Sequence, residues 1–206
     1  MISRRFALAA GMLAAAAAMP LRAGAATDPS TAAATISSFY DTLLSVMKEG
    51  PSLGFKGRYD RLNPTVRNAF DLPLMTRLMV GPQWTSLTPA QQQQLVAAFS
   101  DFSAATYASR FDDYSGERFE VDPKPTPSSG GVIVHTKLLK NDGDPVDIDY
   151  LLRESNGVWR IVDVYLSGTV SELATRRSEF SSVLRRGGPE ALVDVLQQKT
   201  AELRSS

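Results

Sequence analysis

The sequence predicts an α+β domain in which N-terminal and C-terminal helices pack on a four-stranded antiparallel, curved sheet. Three observations carry this prediction. Apolar residues recur at helical spacing from about residue 36 to about residue 113. The period then changes to two across residues 117–167, and a second helical pattern closes the chain. Helices, then strands joined by short turns, then helices again is an order typical of α+β proteins.

The first 25 residues are typical of a secretory signal. Arg4 and Arg5 give a positive start, residues 6–19 are apolar and rich in alanine, and Ala23-Gly24-Ala25 supplies the small residues that signal peptidase recognises. The apolar run is shorter than the roughly 20 residues that a membrane span needs. Because Ser3-Arg4-Arg5 also begins a twin-arginine signal, both export routes stay open. We expect one exported domain over residues 26–206.

Caps and breakers predict the N-terminal helices. Gly50-Pro51 ends a first helix, whose apolar positions run from residue 36 to residue 47. Asn63-Pro64 predicts a short helix to about Phe70, and another follows near residues 74–80. Thr88-Pro89-Ala90-Gln91 has the order of a capping box and predicts a long helix to about Asp113.

Four strands are predicted next, over residues 117–122, 132–139, 146–153 and 158–167, with a loop rich in Pro, Ser and Gly over 123–131. Asn156-Gly157 is a strong signal for a two-residue hairpin turn. A regular hairpin around it places Leu152 opposite Ile161 and Tyr150 opposite Asp163.

The C-terminal helices are predicted from similar signals. Thr169-Val170-Ser171-Glu172 has the order of a capping box, and Gly187-Gly188 ends the helix that it opens. Pro189 then opens the last helix. The strand at 158–167 is apolar on both faces at its far end. Either helices cover both faces, or one face lines a cavity for an apolar ligand.

Composition excludes several functional classes. The chain of 206 residues has 22 basic and 22 acidic residues, no cysteine and one histidine, His135. Balanced charge argues against nucleic-acid binding, which requires a basic surface. The cysteine count excludes a disulfide scaffold, a thiolate metal site and a cysteine nucleophile. A single histidine excludes a histidine-rich metal cluster.

Three groups of polar residues are candidates for chemistry. Tyr150 opposite Asp163 could transfer a proton at a ketone, unless Asp163 is simply held by Tyr150 or by a helix end. A cluster of four aspartates suggests calcium, but its spacing fits no standard loop and also suits a solvent-facing edge. Four arginines form either a docking or headgroup-facing patch or a solvated helix end. The aspartates are Asp142, Asp144, Asp147 and Asp149, and the arginines are Arg176, Arg177, Arg185 and Arg186.

The order and spacing of several short segments resemble the lipid carriers of the Mla (maintenance of lipid asymmetry) system, also called toluene-tolerance auxiliary proteins. That family usually reads Gly-Val-Ser after the last strand, whereas this chain has an extra residue there. In this feature the chain is more similar to the branch of the family that is found beside hopanoid-biosynthesis genes. The resembling segments are Gly81-Pro82-Gln83-Trp84, residues 94–108, residues 159–164, Gly168-Thr169-Val170-Ser171 and Arg177-Ser178-Glu179-Phe180.

The resemblance implies a periplasmic, monomeric carrier with a cone-shaped apolar pocket between the sheet and its helices. Its cargo would be a phospholipid or a hopanoid, its partners an inner-membrane lipid transporter and an outer-membrane donor or acceptor. It implies no catalytic group, cofactor or metal. A small isomerase-like or cyclase-like enzyme using Tyr150 and Asp163 is the alternative. As pocket lining we expect Phe99, Phe102, Tyr107, Val146, Ile148, Tyr150, Leu152, Ile161, Val164 and Leu166.

Overall fold

The computed structural model describes residues 28–141 and 143–205. The predicted signal over residues 1–25 and the Asp142 of the aspartate cluster lie outside the described residues. Within these residues there are five α-helices, and a 3₁₀ helix at Gly81–Ser86 joins the third to the fourth. The helices are α1 (Ser30–Lys48), α2 (Gly50–Ala69), α3 (Leu72–Val80), α4 (Pro89–Arg110) and α5 (Glu172–Ser205).

The predicted start of α4 is confirmed. The Thr88 side chain accepts a hydrogen bond from the backbone N–H of Gln91, and the Gln91 side chain accepts one from the backbone N–H of Thr88. This reciprocal pair satisfies two N–H groups that the first helical turn cannot satisfy by itself. Helix α4 therefore begins at the predicted residue.

The prediction that Asn63-Pro64 opens a helix is wrong, because both residues lie inside α2. The Asn63 side chain does not cap the backbone and instead accepts a 2.7 Å hydrogen bond from Arg67. The conformational break lies earlier, at Gly54, where φ is 58° and ψ is 177°. Such a positive φ costs glycine little, so the kink forms there rather than at the Asn-Pro pair.

The start of α5 also differs from the prediction. The helix begins at Glu172, and the Ser171 hydroxyl, not that of Thr169, accepts the 2.9 Å hydrogen bond from the N–H of Ala174. The predicted break at Gly187-Gly188 is present as a kink at Gly188, where φ is 73°. The capping-box signal therefore indicates the right part of the chain, but the capping residue is Ser171, two residues after the predicted Thr169.

In the described part of the chain, the sheet has seven strands rather than the four predicted. One predicted strand is interrupted, because His135 separates β3 from β4, and the predicted loop rich in Pro and Ser contains the short strand β2. A short strand also precedes α5. The strands are β1 (Arg118–Val121), β2 (Thr126–Ser128), β3 (Gly131–Val134), β4 (Thr136–Leu139), β5 (Val146–Ser155), β6 (Val158–Leu166) and β7 (Val170–Ser171).

All pairs of neighbouring strands are antiparallel. β5 pairs with β6 along one edge and with β3 and β4 along the other, and β2 and β1 then pair with β3 and β4. Helix α1 contacts β1, β3 and β6, whereas α4 packs between α2 and α5. The joint between α2 and α3 is tied to β6, because the N–H of Asp71 donates a 2.8 Å hydrogen bond to the carbonyl of Ile161.

The hairpin of β5 and β6 has the predicted turn but not the predicted register throughout. Asn156 and Gly157 both have positive φ, 53° and 79°, as a type I′ turn requires. Leu152 faces Ile161 as predicted, but the register shifts between Leu151 and Leu152, so Tyr150 faces Val164 rather than Asp163. A β-bulge with one extra residue, Val162, produces this shift.

Within the described ranges, no helix is long and apolar enough to cross a membrane.

Candidate functional site

An apolar cavity of about 140 Å³ lies between α4, the strands β5 and β6, and the first turn of α5. Seven of the ten residues predicted as pocket lining surround it. Three come from α4, two from β5 and two from β6. They are Phe99, Phe102, Tyr107, Ile148, Tyr150, Val164 and Leu166.

The other three predicted residues do not line this cavity. Leu152 and Ile161 face each other across the hairpin and are fully buried in the core. They lie on the turn side of the bulge, where the α2–α3 joint covers the sheet. Val146 is half-buried at the start of β5, opposite Leu138.

The bulge decides which residues of β6 face the cavity. In a strand, alternate side chains point to opposite faces, so one extra residue exchanges the faces for every residue after it. A regular hairpin would place Tyr165 on the face of Tyr150. With the bulge, Val164 and Leu166 share that face and Tyr165 points away. The sheet thereby gains two aliphatic side chains in the cavity wall.

The sequence analysis missed several lining residues that lie just outside the main periodic runs. Phe70 immediately follows α2, Phe111 immediately follows α4, and Leu173 lies in the first turn of α5. Each is a large apolar residue at or near a helix end. An apolar residue at a helix end was the sequence signal that could have identified them, because helix ends that contact the sheet lie next to the space enclosed by the helices. Met75 of α3 completes the apolar lining.

The Asp163 carboxylate has a structural role and does not face the cavity. It lies on the face of Leu151, opposite to that of Tyr150, which removes the predicted catalytic pair. One oxygen accepts hydrogen bonds from the N–H groups of Val164 and Leu173, and the other accepts a 2.6 Å hydrogen bond from the Ser171 hydroxyl. The acid therefore binds the helix end, the alternative left open by the sequence.

A buried cluster of hydroxyl groups adjoins the inner wall of the cavity. The Tyr40 hydroxyl lies 3.0 Å from that of Tyr150 and 2.7 Å from that of Thr136, and the Tyr107 side chain lines the cavity beside Tyr150. Burial raises the pKa of Tyr40 to about 12 and raises the pKa values of Tyr107 and Tyr150 well above their usual range. All three phenols are therefore neutral at physiological pH.

The charged side chains that line the cavity are exposed or half-buried and mark its mouth. Arg176 lies 2.9 Å from a Glu179 oxygen and 3.7 Å from a Glu172 oxygen, and its guanidinium covers the Phe102 ring at 5.2 Å. Arg110 is exposed, lines the cavity, and has no carboxylate partner among the described residues. At the mouth, Arg176 is therefore paired with carboxylates, whereas Arg110 is not paired with a carboxylate of the described residues.

The other predicted groups of charges are separate from the cavity. Asp147 Oδ1 lies 3.3 Å from Lys137 Nζ, and Asp149 Oδ1 lies 3.1 Å from His135 Nδ1. In the part of the chain that the structure describes, no three His, Asp or Glu side chains form a group that could hold a metal ion. Of the four arginines, only Arg176 lines the cavity; Arg177 lies against Gly81, and Arg185 and Arg186 are exposed.

Comparison with known proteins assigns this fold and cavity to a family. A family model described as MlaC protein matches residues 37–198, most of the chain. The chain belongs to the MlaC family. Its helices, its antiparallel sheet and the cavity between them all lie within or around the matched range.

Two relatives are similar to this MlaC-family chain. The toluene tolerance protein ttg2D of Pseudomonas putida is 24% identical over 132 residues, and the match spans 63% of this chain and 60% of that protein. A phospholipid-binding protein from Ralstonia solanacearum was solved in complex with a phospholipid. It is 26% identical, with a TM-score of 0.72 over 84% of this chain and 98% of that one. Neither name is that of an enzyme.

Proposed function

We propose that this chain is a periplasmic lipid carrier that encloses the apolar part of a phospholipid or a hopanoid and moves it between the inner and outer membranes. At about 0.8 kcal/mol per CH₂, a tail of roughly 16 carbons costs on the order of 12 kcal/mol to hold in water. A lipid that crosses an aqueous compartment therefore needs a protein that covers its tail. Such a protein needs an apolar cavity, an opening and docking partners.

The cavity between α4 and the hairpin of β5 and β6 is the observation that carries this proposal. Its wall consists of aromatic and aliphatic side chains from α3, α4, α5, β5 and β6, whereas its charged residues are exposed or half-buried. A tail enters such a site and leaves a polar headgroup outside. The phospholipid bound by the Ralstonia solanacearum relative supports this class of ligand.

Lipid uptake requires the cavity to widen. A dry cavity of about 150 Å³ accommodates a molecule the size of benzene, so the present 140 Å³ matches only a short part of a lipid tail. We propose that the first half of α5 moves. It carries Leu173 and Arg176 in the lining, and glycines with positive φ, Gly168 and Gly188, lie near its two ends.

Arg110 and Arg176 are the proposed contacts for the headgroup. Guanidinium groups bind phosphate through several N–H donors, and Arg110 has no competing carboxylate among the described residues. An inner-membrane lipid transporter and an outer-membrane donor or acceptor are the proposed partners. The extra residue in Gly168-Thr169-Val170-Ser171 favours the hopanoid-associated branch and makes hopanoid the second candidate cargo.

Native mass spectrometry of the protein purified from bacterial periplasm tests this proposal. We expect a mass increment near one lipid per chain, and extraction with organic solvent then identifies the lipid. A protein that carries no lipid, and whose mass is unchanged after incubation with phospholipid vesicles and with hopanoid-containing vesicles, would contradict the carrier function.

A further inference from the structure

Helix α5 consists of two halves that are joined at a glycine. At Gly188 φ is 73° and ψ is −172°, a backbone conformation that breaks the helix and that glycine adopts at little cost. The first half, residues 172–187, carries the three lining residues of α5. Among the described residues, the second half, 189–205, contributes none to the lining. The break allows the two halves to change their relative orientation.

The second half of α5 is fixed to the helices α2 and α4. Near its start, Glu190 accepts a 2.8 Å hydrogen bond from the Gln91 side chain in the first turn of α4. Near its end, the Arg204 guanidinium lies 5.4 Å from the centre of the Tyr59 ring of α2. Leu196, between these contacts, is fully buried. The second half is therefore a fixed support for the first half.

An ion pair holds the first half of α5 on this support. Glu179 Oε1 lies 2.9 Å from Lys199 Nζ of the second half, and Glu179 Oε2 lies 2.9 Å from Arg176 Nη1. Burial raises the pKa of Glu179, but the hydrogen bonds from Lys199 and Arg176 outweigh it and lower this pKa, so the carboxylate is ionised at neutral pH. In the described part of the chain, Glu179–Lys199 is the only ion pair that joins the two halves.

This ion pair belongs to the narrow form of the cavity, with a volume of about 140 Å³. The N and O atoms of a salt bridge lie within about 4 Å of each other, so a displacement of the first half by a few Å breaks the pair. We propose that the Glu179–Lys199 ion pair stabilises the narrow, lipid-free form and is broken when a lipid enters. This inference rests on the proposed lipid-carrier function and on the proposed displacement of the first half of α5.

The ion pair has a predictable effect on affinity. A ligand that must break an interaction binds less tightly by the free energy of that interaction. The Glu179–Lys199 pair therefore lowers the affinity for lipid and favours release of the lipid to an acceptor. Lys199 lies outside the lining, and Glu179 keeps its contact with Arg176 when Lys199 is replaced. Lys199 is thus a positioning residue, which acts on the lipid through the first half of α5.

Calorimetric titration of the delipidated full chain with dioctanoyl phosphatidylcholine tests the inference. Lys199→Met should bind this lipid about 1.4-fold to fivefold more tightly than the parent chain, from the usual contribution of an exposed ion pair. Lys199→Glu should bind it more tightly still, because the new carboxylate repels Glu179 in the narrow form. Lys199→Arg retains the ion pair and should bind as the parent chain does. Lys56→Met removes an exposed ion pair with Asp60 in α2 and is the matched control with unchanged affinity.

A gain of affinity distinguishes this role from a merely structural one, because damage to the fold or to the cavity weakens binding. Equal or lower affinity in Lys199→Met overturns the inference and leaves lipid carriage intact. Failure of the parent chain itself to bind the lipid contradicts lipid carriage, and with it the inference.

A distance measurement tests the same inference without removal of the ion pair. Spin labels are attached at Ser178→Cys and Gln198→Cys, two exposed positions next to Glu179 and Lys199. The chain contains no cysteine, so the labels attach at these two positions alone. We expect the distance between the labels, measured by electron paramagnetic resonance, to increase when dioctanoyl phosphatidylcholine binds. An unchanged distance in the lipid-bound protein would show that the two halves stay together and would overturn the inference.

Discussion

The Ser171 hydroxyl donates a 2.6 Å hydrogen bond to the Asp163 carboxylate, which connects the strand β6 to the first residues of α5. The other carboxylate oxygen accepts from the N–H of Leu173 in the same helical turn. Asp163 is only 7% exposed, so these hydrogen bonds form away from water. The element that closes the cavity mouth is therefore anchored on the strand that forms its wall.

Replacement of Asp163 by Asn should destabilise the protein without removing lipid binding. One carboxylate oxygen becomes an NH₂ group, which cannot accept the hydrogen bonds that Ser171 or Leu173 donates. We expect a loss of about 1–3 kcal/mol in the free energy of unfolding, measured by urea denaturation. Asp60→Asn, in an exposed ion pair with Lys56, should change it by less than about 0.5 kcal/mol. An unchanged stability of Asp163→Asn would contradict the anchoring role.

Filling the cavity should prevent lipid retention. Leu166→Trp extends a larger side chain into the space beside Phe102 and Tyr107, so we expect the purified variant to carry little or no lipid by mass spectrometry. Tyr165→Trp is the matched control, because its side chain lies on the other face of β6 and should leave the lipid content unchanged. Equal lipid content in the two variants would place the lipid elsewhere.

Arg110 should contribute to the affinity for anionic headgroups. Arg110→Ala removes the uncompensated guanidinium at the mouth. Since an exposed charge pair is worth about 0.2–1 kcal/mol, we expect a loss of affinity between about 1.4-fold and about fivefold for a short-chain phosphatidylglycerol. The loss should shrink at high salt. Arg185→Ala, exposed and outside the lining, is the control. The affinities of the two variants are measured by calorimetric titration. Equal affinities for Arg110→Ala and Arg185→Ala would contradict a contribution of Arg110.

Stability should fall at high pH because the buried phenols must ionise when the protein unfolds. Burial raises the pKa of Tyr40 to about 12, against about 10 in the unfolded chain. The folded state therefore retains a proton that the unfolded state loses, so stability is fully present below about pH 10 and declines as pH rises toward 12.

Each such tyrosine contributes a decline of about 1 kcal/mol per pH unit in that window. Tyr40→Phe should therefore flatten the dependence of the unfolding free energy on pH between about 10 and 12. Parallel slopes for the parent chain and Tyr40→Phe would contradict an elevated pKa of Tyr40.

The sequence indicated correctly those features that depend on a few neighbouring residues. The capping box at Thr88 and the hairpin turn at Asn156-Gly157 are local hydrogen-bonding and dihedral preferences, and both are present in the structure. The prediction failed where a local signal had a competing use. Asn63 could cap a helix, but its side chain binds Arg67 inside a longer helix.

The sequence by itself therefore determined the helix-strand-helix order, the apolar character of the candidate site and most of its lining. These follow from periodicity and from residue type. Only the tertiary structure decided which face of β6 lines the cavity, because a single bulge at Val162 exchanges the faces of every later residue. Because of that exchange, Val164 and Leu166 line the cavity, and the Asp163 carboxylate accepts a hydrogen bond from the first turn of α5. No pattern in the strand itself records it, since the bulge depends on how β5, β6 and the helices pack together.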